Sequence, residues 1–83
     1  MPRFTVVTID SLFSTETRTA DLADADAALA LGVRGAIMIA ADEINGGFAS
    51  ATVEVVVEDE IRRQIRRSTV SISTASLATG PVV

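Results

Sequence analysis

The side chains in this sequence that could do chemistry are carboxylates, arginines and hydroxyls. There is no His, Cys, Trp or Tyr, and all seven basic residues are Arg. Without His, Cys, Lys or Tyr the usual general bases and covalent nucleophiles are missing, so no Ser-His-Asp or Cys-His site can be built within one chain. Carboxylates cluster at Asp21/Asp24/Asp26, at Asp42/Glu43 and at Glu58/Asp59/Glu60. The first set reads as helix capping, because the Gly and distal Glu of a calcium loop are missing. The last set reads as a solvated turn. Gly32-Val33-Arg34-Gly35 falls inside a helical pattern, whereas phosphate-cradling loops sit between a strand and a helix. We therefore expect no catalytic residues, no metal, no cofactor and no enzymatic activity.

The one positive cluster is Arg62, Arg63, Arg66 and Arg67. As an anion site it could hold phosphates of a nucleotide or nucleic acid. Acids lie next to it, no Trp or Tyr is present to stack bases, and the net charge is −4. These features argue against nucleic acid as a partner. Surface charge pairing on a sheet face is the preferred reading, since such pairs are common and individually weak.

The element that must position everything else is Asp24 to Ile44, the one long helical pattern. Asp24 can accept hydrogen bonds from the first turn, and Asp26 adds negative charge at the positive end of the helix dipole. Asn45-Gly46-Gly47 supplies the C-terminal stop. At about 100° per residue, Leu29, Val33, Ile37, Ala40 and Ile44 form one apolar stripe, which we take as the core face. A second group, Ala28, Leu31, Gly35, Met38 and Ile39, falls largely outside it. Between positions 27 and 41 only Arg34 is charged. Gly32 and Gly35 each lower helix stability by about 1 kcal/mol relative to Ala, unless they admit another backbone at close range. A helix apolar nearly all round is usually buried on more than one side. A chain of 83 residues cannot bury it so fully alone. The plainer alternative is an Ala- and Gly-rich outer face that simply stays hydrated. We expect self-association, most simply a homodimer, through Leu31, Gly35, Met38 and Ile39.

Around the helix, residues 3–9 and 50–58 read as strands rich in β-branched types. Residues 13–19 form a polar-faced partner strand near a turn at Asp10-Ser11. The stretch after Glu58 has two readings. As a helix it spaces Glu58–Arg62 and Asp59–Arg63 at i, i+4. As a hairpin turning at Glu60-Ile61, it sets Glu58 opposite Arg63, Val56 opposite Ile65 and Glu54 opposite Arg67. The hairpin also leaves Val53, Val55, Val57, Val70 and Ile72 on one face for the helix to cover, and we adopt it. The expected fold is α+β, ordered ββαββ, with an antiparallel sheet of about four strands and one long helix on one face. Residues 1–73 form the single domain and 74–83 a frayed tail.

Several short motifs match a known pattern: Met1-Pro2-Arg3-Phe4, Asp10, Leu22-Ala23-Asp24 with Ala27-Ala28, Ala41-Asp42-Glu43-Ile44, and Val53-Glu54-Val55 with Asp59-Glu60. On these the chain resembles a group of short alphaproteobacterial proteins carrying a domain of unknown function. The resemblance covers residues 1–72 and implies the same order of elements. It departs at Ser11 and Arg62, where Gly is usual, and at Ala23, where Pro is usual. It implies no activity and no site residues.

The absence of cysteine rules out disulfides and thiolate metal sites as supplements to the core. The N-terminus shows no signal-peptide h-region, and no apolar run reaches membrane-span length. A cytoplasmic protein that does not enter a membrane is the resulting expectation, and basic residues that are all Arg, with abundant Ala, Val, Thr and Asp, suggest a GC-rich bacterial genome.

Overall fold

β-Branched residues dominate residues 3–10 and 50–58, and these two stretches form the centre of the sheet. The computed structural model describes residues 1–10 and 16–76. Its elements are β1 (Arg3–Asp10), β2 (Glu16–Asp21), α1 (Ala25–Asn45), β3 (Ser50–Glu58) and β4 (Gln64–Ser73). The strands form one antiparallel sheet in the order β2-β1-β3-β4. The helix packs on one face of it, across β3, β4 and β1. This is the expected ββαββ α+β architecture.

The described part of the second strand runs from Glu16 to Asp21, two residues beyond its expected end at 19, and residues 13–15 of the expected strand lie outside the described segments, as does Ser11 of the expected turn. Its register runs from Arg3 opposite Asp21 to Thr8 opposite Glu16. The Arg3–Asp21 ion pair at 3.1 Å and the Leu22 N–H donating to the Pro2 carbonyl at 3.0 Å hold its far end. At the other terminus, Thr74 is tied in rather than frayed. Its N–H and hydroxyl both reach the Ala49 carbonyl, at 2.9 and 3.1 Å. Residues 77–83 of the expected tail lie outside the described segments.

Helix α1 is bounded as its caps dictate. The Asp24 carboxylate accepts from the Ala27 N–H at 2.8 Å. At the other end Phe48 N–H reaches Glu43 O and Gly47 N–H reaches Ile44 O, both at 3.1 Å. This double closure needs a left-handed residue, and Gly47 supplies it with φ of 109°.

The face of the helix that meets the sheet is shifted from the one expected, with only Ala40 of the predicted stripe fully buried. Ala28, Gly32, Ala36 and Ala40 are buried there, together with Glu43. Ile37, assigned to the core by pattern, is 47% exposed, and Ala28, assigned outside it, is fully buried. Leu29, Val33 and Ile44 are only partly buried and flank the core. The stripe of small residues lies between the two apolar groups, rotated by roughly 80° from the predicted face at about 100° per residue. The physical reason is close approach. A Cβ on Gly32 would sit 2.4 Å from Val55 Cγ1 and 2.7 Å from Val6 Cγ1. Small residues let the helix backbone settle onto Phe4, Val6, Val53, Val55 and Val57, and the larger side chains splay to either side.

The β3–β4 hairpin is present, but its register differs from the expected one by two residues. Val56 faces Arg67, Glu54 faces Thr69 and Val53 faces Val70, with an irregularity at Val57/Glu58. A slip of two keeps every side chain on its face, so the apolar surface beneath the helix is as expected. The cause lies in the loop. Asp59 N–H donates to the Arg63 carbonyl, and the Asp59 carboxylate accepts from the N–H groups of Ile61 and Arg63. That Asp-centred turn spans 59–63 instead of closing tightly at Glu60-Ile61, and Ile65 falls in the bulge.

Candidate functional site

Three constellations stand out: a groove beside the helix, the arginines of the hairpin, and a buried pair of acids.

The groove follows from the tilt of the helix toward β3 and β4, which leaves the β2 side of the sheet thinly covered. Leu31, Gly35, Met38 and Ile39 form one wall, Val6 and Thr8 the floor, and Arg18 of β2 the other wall. Its volume is about 250 Å³. All four residues predicted as a self-association face are thus brought together. Met38 is 69% exposed and Leu31, Gly35 and Ile39 are partly exposed. Among the described residues no packing atom lies within 4 Å of where a Gly35 Cβ would stand, so no neighbour there requires a glycine, unlike at Gly32. Ile39 and Asp42 also border a second hollow of about 340 Å³, completed by Glu43, Gly46 and Phe48. The apolar surface therefore continues to the end of the helix.

The arginines are arranged differently. Arg62 pairs with Glu58 and Arg63 with Asp59, both at 2.8 Å. Arg66 reaches across to Asp26 in the first turn of α1 at 3.2 Å, and Arg67 pairs with Glu54. Each of the four candidate anion ligands therefore faces a carboxylate. The Glu58–Arg62 and Asp59–Arg63 contacts are the i, i+4 pairs that the helical reading of this stretch contained, formed here within a hairpin loop. Hydrogen bonds from Arg63, its backbone N–H foremost, hold the Asp59 carboxyl below its ordinary value.

The acid pair was missed by sequence reasoning. Glu43 is only 5% exposed and Asp10 is buried beside it. Neither Glu43 oxygen meets a hydrogen-bond donor among the described residues. What faces it is the Asp10 carboxyl, and two carboxyls can hydrogen-bond only when one carries a proton. Burial first, then the hydrogen bond and charge of Asp10, raise the Glu43 carboxyl above its ordinary value. The signal was present in two periodicities. Phe4, Val6, Thr8 and Asp10 alternate onto one face of β1, and Glu43 extends the 28-32-36-40 stripe by one further turn. Among the described residues no three potential metal-ligating side chains converge.

No protein-family model, curated protein or solved structure matches this chain. Among the described residues no helix is long and apolar enough to cross a membrane.

Proposed function

We propose that this protein is a small self-associating interaction module without catalytic activity, acting as a cytoplasmic homodimer in a bacterium. The observation that carries the reading is the groove: a continuous apolar helix flank, with a glycine at its centre whose Cβ position no packing atom of the described residues approaches within 4 Å. Apolar surface of this kind, left open beside a well-packed core, is characteristic of a contact with another protein surface. The alternative, an anion site at Arg62, Arg63, Arg66 and Arg67, draws less support, because an added phosphate would have to displace four carboxylates.

The test replaces Leu31 and Met38 with Glu in one variant. Size-exclusion chromatography with light scattering should report a dimer for the unmodified chain and a folded monomer for the variant. A variant that assembles like the unmodified chain would remove this face from consideration.

A further inference from the structure

The rims of the groove carry more information than its apolar walls. Five ion pairs join Arg3, Arg62, Arg63, Arg66 and Arg67 to carboxylates. Arg18 and Asp42, both exposed, border the same groove, yet neither belongs to an ion pair among the described residues. A ligand of one sign would be drawn to one rim and repelled by the other. A second copy of this chain presents both signs. About a two-fold axis, if residue i of one copy touches residue j of the other, then j also touches i. One such contact would satisfy both rims at once.

The helix flank suits that partner. Leu31, Gly35, Met38 and Asp42 follow one another at steps of four, three and four, the spacing by which one helix presents a seam to another. Gly35 lies in the middle, where the absence of a Cβ lets two helix axes come near the short end of the usual 8–10 Å separation.

Building on the self-association proposed above, we infer that the groove is the interface of a two-fold homodimer. The helices cross near Gly35, and Arg18 of each copy pairs with Asp42 of the other.

Charge reversal tests this orientation separately from association itself. Arg18→Asp and Asp42→Arg are made as two proteins, and their masses are measured by light scattering alone and after mixing in equal amounts. Each variant alone should be monomeric, with a dissociation constant raised at least about tenfold by like charges facing each other twice. The mixture should recover the dimer, because both reversed contacts then bring opposite charges together. Circular dichroism on each variant shows whether the fold is retained. A chain carrying both substitutions should dimerise with itself, which guards against misreading an unfolded single variant. Two results overturn the inference: both single variants dimerise like the unmodified chain, or the mixture of folded monomers stays monomeric. If the Leu31/Met38 variant dissociates while the charge reversals have no effect, the groove remains the interface and only this orientation falls. If the Leu31/Met38 variant stays associated, the reading beneath both has failed.

Discussion

Arg62 holds a backbone conformation that glycine would occupy without strain, with φ of 67°. For a residue with a Cβ the left-handed region is unfavourable by about 1–2 kcal/mol. Here it is held by the Arg62 N–H donating to Asp59 O at 3.0 Å and by the side-chain pairing with Glu58. Arg62→Gly and Arg62→Ala both lose the ion pair, so their difference isolates the backbone. The Gly variant should be the more stable by about 1 kcal/mol in urea unfolding, reversing the usual advantage of Ala over Gly. Equal stability would mean that the loop relaxes out of this conformation.

The acid pair predicts a pH dependence. The Glu43 carboxyl is raised above 4.5 in the folded chain, which therefore binds that proton more tightly than the unfolded chain does. Its contribution to stability is intact below about pH 4.5 and is lost as pH climbs through the raised value. Asp59 has the opposite sign. Lowered from 3.8, it contributes above that pH and is lost as pH falls through its folded value. Glu43→Gln should abolish the loss on the alkaline side and leave the acid side unchanged. Urea midpoints across roughly pH 3 to 8 check this. An alkaline-side decline that persists in the variant would show that another group is responsible.

At the scale of the element, the two glycines inside α1 separate packing from propensity. Both are equally poor helix formers, and their surroundings differ completely. Gly32→Ala forces a methyl against Val55 and Val6 and should destabilise the chain by about 1–3 kcal/mol. Gly35→Ala meets open space and should stabilise the isolated folded chain by about 1 kcal/mol. Chemical denaturation at low protein concentration reads these signs directly. In the proposed dimer the same Gly35→Ala change should weaken association, because the added methyl would lie where the second helix is proposed to cross. The boundaries of this helix were legible in sequence, since Asp24 and Gly47 act through local hydrogen bonds. Its core face was not. A hydrophobic pattern weights large residues such as Ile37, while the approach of a helix to a sheet is set by the small ones.

At the scale of the whole molecule, one helix covers one face of a four-stranded sheet and leaves a flank open toward β2. Among the described residues no further element lies over that flank. Association of copies is the most direct way to remove it from water. Mass measurement by light scattering is well suited to this chain, whose lack of Trp and Tyr leaves it almost without absorbance at 280 nm. Recording 260 nm in the same run would expose any nucleotide carried on the arginines. A dimer free of that absorbance agrees with the proposed function, and a monomer bearing it would redirect attention to the hairpin.

Sequence alone determined the order of elements, the helix caps, the alternation of faces along β3, and the absence of imidazole, thiol and amine chemistry. These depend on residue type and on contacts only a few positions apart. The four residues of the groove wall were also readable, because one helix flank carries them at a fixed period. Tertiary structure decided which helix face meets the sheet, the two-residue register of the hairpin, the pairing of each hairpin arginine with an acid, and the meeting of Asp10 with Glu43. Each of these depends on a distance between elements remote in the chain. Such distances are set by side-chain volume and loop geometry, which hydrophobic periodicity does not record.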